Sequence, residues 1–208
     1  MEIPYFTACY RGDVYAWNPC YYIRIDTTAF DRKPEAGRDA PGISTRIMRE
    51  PFDPWDVVEI ARMLSWGCSV LPMDFTDGKR SPKNWRAQQL FFIDIDNDDE
   101  TLAAFPDGLR EADAVERAFE NDLPLVIAYQ SFSGTESANF DTIAKDEPVG
   151  SERYRLVFAS NHLITDRAEA QRFMAGLMDI YPEADECSKD MNRLFYGTDK
   201  SVYVLQDI

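Results

Sequence analysis

Histidine and paired cysteine are scarce in this chain. One histidine, His162, and four cysteines, at positions 9, 20, 68 and 187, are scattered through 208 residues with no CxxC pair. A structural zinc site would have to gather its ligands from all over the chain. With one histidine and no GxSxG segment, nucleophilic triads of the Ser/His/Asp or Cys/His kind lack their parts. The cysteines are expected as free thiols. Long apolar runs are missing too: no stretch of about 18 apolar residues occurs, and the opening MEIPYFTACYRGD has no basic region followed by an apolar one. A membrane partner is therefore not expected, and a cytoplasmic address follows by default.

Positive charge is also in short supply, with 22 Lys and Arg against 37 Asp and Glu for a net charge of -15. General affinity for nucleic acid comes from cations that neutralise phosphates, so a broad basic coat is excluded. The cations that exist are grouped. Lys79, Arg80, Lys83 and Arg86 precede one apolar segment, while Arg153, Arg155, Lys189, Arg193 and Lys200 come later. Acid concentrates at 98–100 and 111–120, which leaves room for a local basic groove on an acidic body.

What is present is the composition of an ordinary globular protein, 45% hydrophobic and 28% charged, long enough to bury roughly 70% of its unfolded surface. Two stretches rich in turn formers, 31–54 and 133–152, read as long loops. Between and after them the periodicity is legible. Val57, Ile60, Ala61 and Leu64 predict a helix over 54–66, with Asp53 as N-cap and Pro54 in the first turn. LFFIDID at 90–96 predicts a strand ending in an Asn-Asp-Asp turn, and Leu109, Ala112, Val115 and Phe119 predict a helix. Strands follow at 125–129 and 153–159. A helix begins near Asp166, with Glu169 completing a capping box and Ala170, Phe173, Met174, Leu177, Met178 and Tyr181 on its buried face. Strands are expected at 194–197 and 202–206. The fold class that results is α+β: an RRM-like, or ferredoxin-like, βαββαβ unit over 89–208, with a smaller α/β lobe over 1–88. In that arrangement the first and third strands are neighbours, helices cover one face, and the open face between the lobes holds the site.

Alternation along 90–96 sends Phe91, Ile93 and Ile95 to one face and Asp94 with Asp96 to the other. Two such carboxylates, about 6.6 Å apart along the strand, can lean toward shared divalent cations. Arg153 and Arg155 share a face of the 153–159 strand and would stand beside them. Guanidinium groups bind phosphate oxygens bidentately, so carboxylates flanked by arginines describe a triphosphate site. Three other readings stay open: a solvated acidic turn, a structural salt bridge from Arg155 to Asp94 or Asp96 that binds no metal, and a haloacid-dehalogenase-like phosphatase with Asp94 as nucleophile and Asp96 as acid. That last family expects Thr or Val two residues after the second aspartate, where this chain has Asp98.

Four segments together resemble the archaeo-eukaryotic primase superfamily, in particular the primase-polymerase domains of plasmid, phage and other mobile-element replication proteins. FFIDIDND at 91–98 is similar to the family's first metal motif. SFSGTE at 131–136 with RYRLVF at 153–158 is similar to the second, and ADECSKDMNRLFYG at 184–197 to the third. KRSPKNWRAQQ at 79–89 resembles the basic approach to the first motif. The resemblance covers about residues 55–208. It implies Asp94, Asp96 and Asp185 as metal carboxylates for Mg²⁺ or Mn²⁺ in a two-metal site, with Asp190 the rival for third place. It implies Ser131, Ser133, Arg153, Arg155 and Arg193 near the nucleotide. Many members carry a histidine on the second-motif strand where this chain has Arg153 and Arg155; His162 is expected in a loop beyond it. The activity implied is primer synthesis on single-stranded DNA from nucleoside triphosphates, alongside a helicase domain or protein and with this chain a piece of a longer one. The alternative is an inactive nucleic-acid-binding or interaction module on the same fold.

Overall fold

The computed structural model describes residues 7–9, 19–134 and 152–205. The order of elements is β1 (Thr7–Cys9), β2 (Cys20–Asp26), α1 (Ala40–Ile47), β3 (Asp53–Asp56), α2 (Val57–Ser65), β4 (Ser69–Leu71) and β5 (Met73–Phe75), then β6 (Trp85–Ile95), α3 (Asp99–Ala104), α4 (Glu111–Glu120), β7 (Leu125–Gln130), β8 (Tyr154–Ile164), α5 (Arg167–Ile180) and β9 (Val202–Leu205). The described residues form an α+β fold with two sheets. The larger runs β1-β9-β7-β8-β6-β5, antiparallel except for the β1 and β9 pair, and the smaller runs β3-β2-β4. No helix among the described residues is long and apolar enough to cross a membrane.

Phe91, Ile93 and Ile95 of β6 and Tyr154, Leu156 and Phe158 of β8 point into a core closed by α4 and α5. That is the alternation expected from the sequence. The opposite face departs from expectation, because it is not open. Leu90 and Phe92 of β6, Ile127 and Tyr129 of β7 and Val157 of β8 form a second core with Val57, Ile60 and Leu64 of α2 and Ile23 and Ile25 of β2. The physical reason lies in the same strands, whose second face is also apolar until it reaches Asp94, so water must be excluded from it. The segment from β2 to β4 supplies the cover, and the aromatic pair Phe92 and Phe195, with centroids 4.5 Å apart, lies in this second core.

Several local expectations are corrected. The loop expected at 31–54 contains α1, with Pro41 in its first turn and Ile43 and Ile47 buried one turn apart. Asp53 and Pro54 belong to β3, and the cap of α2 is Asp56, whose carboxylate accepts from the N–H groups of Val58 and Glu59. A second helix signal hid in the acidic turn, where Asp98 caps α3 through the Thr101 N–H at 2.9 Å. Phe119 faces solvent. β8 runs on to Ile164 by pairing with Gln88, so His162 lies in a strand rather than a loop. Glu169 does not close a capping box; it lies 3.1 Å from His162 Nε2. The strand expected at 194–197 is a single bridge between Phe195 and Val70.

The first and third strands of the expected unit, β6 and β8, do pair, with Asp94 opposite Arg155. β9, however, joins the edge of β7, whereas the last strand of a ferredoxin-like unit pairs with the first. The outer edge of β6 is taken at one end by β5 and at the other by residues 185–188, through Asp185 N–H to Asp94 O at 2.8 Å and Asp94 N–H to Ser188 Oγ at 3.1 Å. Phe92→Ala should lower stability in urea denaturation by about 3 to 5 kcal/mol, the usual range for emptying a buried aromatic site. A loss under about 1 kcal/mol would mean that the second core contributes little.

Candidate metal centre

The site forms where the hydrophobic cover of the second face stops. Asp94 is the penultimate residue of β6 and is 3% exposed; Asp96 lies just past the strand and is half-buried. Asn97 then turns the chain with a positive φ of 40°, its buried amide accepting from Leu109 N–H and donating to the carbonyls of Leu109 and Glu152. Asp185 arrives from 90 residues away because its backbone bonds to Asp94 as an edge strand would. Asp94, Asp96 and Asp185 each offer an oxygen within 4.8 Å of the other two, and among the described residues this is the one such group of three or more potential metal ligands. Asp190, the rival, is exposed and lines a different cavity, between α5 and β6.

Two arginines face the carboxylates. Arg155 Nε is 3.1 Å from Asp94 Oδ1, and Arg193 bridges Asp94 Oδ2 at 2.8 Å and Asp185 Oδ2 at 3.0 Å. Arg155 also donates to Tyr196 O at 2.9 Å and packs over the Tyr129 and Phe195 rings. Burial works against its charge, yet the Asp94 carboxylate opposite raises its pKa overall. Burial pushes the Asp96 carboxyl above its ordinary range and the Asp94 charge adds to this, while Arg153 and Arg155 pull the other way. Burial also opposes ionisation of Asp185, but the Cys187 N–H and Arg193 outweigh it and hold that carboxyl below its ordinary range.

A cavity of about 190 Å³ opens at this point. Asp94, Asp96, Arg155, Arg193, Ser131 and Ser133 all line it, so six of the sequence-predicted residues share one small space. Arg153 stands just before β8 and off the lining, acting on Asp96 through its charge. The rest of the second candidate motif, 135–151, lies outside the described residues. His162 is away from this site, lining a separate groove with Glu169.

Sequence reasoning missed the supports. Lys200 Nζ donates to the carbonyls of Ser131 at 3.0 Å, Phe132 and Gly134, and so ties down the turn that presents both serines. Gly134 is required there, since a Cβ would meet Arg153 O at 2.7 Å. Lys33 reaches the cavity from the segment between β2 and α1. Neither lysine carries a motif: one is selected by carbonyls, the other by tertiary placement.

The donor set suits a hard divalent cation, which prefers carboxylate oxygen. Asp94 Oδ1 is buried and has no hydrogen bond despite the nearby Arg155 Nε, which is itself without one. A buried carboxylate oxygen with an ion-pair neighbour but no hydrogen bond is a place a cation would satisfy. No two cysteines pair among the described residues; Cys20 and Cys187 are exposed, and burial pushes the Cys68 thiol up to about 11. No family model, curated protein or solved structure matches the chain. The functional reading therefore rests on the geometry of this site.

On the α4 side of the sheet a second acid network braces the same strand ends. Glu111 is 3% exposed, accepts from Gln130 Nε2 at 3.3 Å and leaves Oε1 without a hydrogen bond, while its N–H donates to Glu152. Burial, aided by Glu152, pushes its carboxyl up to about 7 against the Gln130 hydrogen bond. The folded state thus holds a proton that the unfolded chain releases near pH 4.5. Its stabilisation is complete below that pH and is lost as pH rises through about 7, on the order of 3 kcal/mol in all. Glu111→Gln should remove this decline in urea unfolding compared at pH 5 and pH 8, leaving the variant the more stable at pH 8. An unchanged slope would show that Glu111 is ionised throughout.

Proposed function

We propose that this chain is a metal-dependent nucleotidyltransferase domain of the primase-polymerase kind, making primers on single-stranded DNA from nucleoside triphosphates. One observation carries the reading: Asp94 and Asp96 at the end of β6 and the distant Asp185 bring carboxylate oxygens within 4.8 Å of one another, with Arg155 and Arg193 on them. On this reading β6 to β9 with α4 and α5 are an RRM-like unit whose last strand has taken the far edge. Asp94, Asp96 and Asp185 hold Mg²⁺ or Mn²⁺. Such cations, when bound in pairs, activate an attacking hydroxyl and stabilise the leaving pyrophosphate.

The remaining roles follow from chemistry and place. Arg155 and Arg193 offer planar guanidinium groups to phosphate oxygens, and Arg153 adds charge on the Asp96 side. Ser131 and Ser133 present polar groups from a turn clamped by Lys200. A cavity of about 190 Å³ is below the usual size of a pocket that encloses a ligand, so it takes the phosphate end while sugar, base and template lie outside. The basic run at 79–86 is where the template would approach, and a helicase domain or protein is the expected partner.

A second reading has its own support. Both oxygens of Asp94 lie near guanidinium groups, and the three aspartates are balanced by Arg153, Arg155 and Arg193, which is how an inactive binding module would keep its acids neutral. The phosphatase reading is weaker, because Asp98 stands where that family expects Thr or Val, and both oxygens of Asp94 face guanidinium groups.

Purified protein given Mn²⁺, nucleotides and single-stranded DNA should make short products. Asp94→Ala should reduce them by more than roughly a hundredfold while the protein stays folded. Absence of product, together with a melting temperature unmoved by millimolar Mn²⁺, would favour the inactive module, since a ligand bound only by the native state must raise that temperature.

A further inference from the structure

Arg155 and Arg193 both touch Asp94, but they are held differently. The Arg155 side chain is 11% exposed and is fixed by the Tyr196 carbonyl and two aromatic rings. The Arg193 side chain is 23% exposed and lies between the Phe195 face and the two carboxylates it bridges. It lines the cavity, beside the Phe195 ring.

Resting on the metal-site reading above, we infer that Arg193 is an internal counter-ion that competes with the divalent cation for Asp94 Oδ2 and Asp185 Oδ2 and is released to the substrate's phosphate. The two oxygens Arg193 engages belong to two of the three carboxylates a cation needs. A carboxylate oxygen that keeps a charge-assisted bond of 2.8 Å is a poorer donor to a cation, so one bond must weaken as the other forms. A triphosphate changes this balance by giving the guanidinium a bidentate anion in the same cavity. Cation and triphosphate then assist each other through Arg193, and by linkage the assistance is mutual. The cation alone binds weakly, and the full site assembles only when substrate is present.

The test is isothermal titration of the folded protein with Mn²⁺ alone, so that activity is not the readout. Arg193→Gln should bind Mn²⁺ about tenfold more tightly than the unaltered chain, within the usual span of coupling between sites. Arg193→Lys keeps the charge but has no fork to span two carboxylates, so it should fall between the two. Circular dichroism confirms that both variants fold. Equal Mn²⁺ affinity in all three proteins would overturn the role of Arg193 while leaving the metal site standing. If Arg193→Lys matched the unaltered chain and only Arg193→Gln tightened, net charge alone would be the cause and the bridging role would fail. No Mn²⁺ binding by any of the three would overturn the metal-site reading itself.

Discussion

Three carboxylates cannot stand bare within 4.8 Å of one another. At an effective dielectric of 20, each pair of unit charges at that distance repels by about 3 to 4 kcal/mol, comparable in sum to the whole stability of many domains. The fold tolerates the cluster because Arg155 and Arg193 sit on it and because burial raises the pKa of Asp96. Everything proposed for the site follows from how this repulsion is relieved. Arginine relieves it with directional bonds that leave Asp94 Oδ1 without a hydrogen bond; a cation would relieve it by sharing oxygens among all three acids.

The scaffold creates this tension through backbone pairing. β5 begins at Met73, opposite Gln88, and leaves the far end of β6 without a strand neighbour on that side, and the turn at 185–188 fills that edge. The third acid is thereby placed by main-chain hydrogen bonds rather than by its own charge. On the second face of the sheet, β2, α2 and β4 cover the apolar rows and stop short of Asp94, so the acids sit at the rim of a dry interface. Such a rim keeps the local dielectric low, which strengthens attraction to cations and arginines alike.

Much of this was legible from periodicity. The alternation in LFFIDID placed Asp94 opposite the helix-covered core, and the RYRLVF strand put Arg155 directly across from it. The third carboxylate came from resemblance of short segments, not from spacing, because a contact across 90 residues leaves no local trace. The closed second face is written in Leu90, Phe92 and Val157, an apolar row that the acidic end of the same strand face disguises. Asp53 and Pro54 imitated a helix start, and the better cap at Asp56 prevailed because its carboxylate reaches two N–H groups. Lys200 stood out only as one of a group of cations, and neither its role nor that of Lys33 was visible, because lysines selected by carbonyls or by tertiary placement carry no pattern. The place of β9 was equally hidden, since which sheet edge is free depends on a turn 17 residues before it.

The account turns on whether the acids of residues 94, 96 and 185 share a cation. X-ray diffraction from crystals grown with Mn²⁺ and a nucleoside triphosphate, recorded at the manganese absorption edge, addresses this directly. The account predicts anomalous density between the three carboxylates, with the Arg193 guanidinium turned onto phosphate. Crystals showing no such density there, with Arg193 still bridging Asp94 and Asp185, would contradict it.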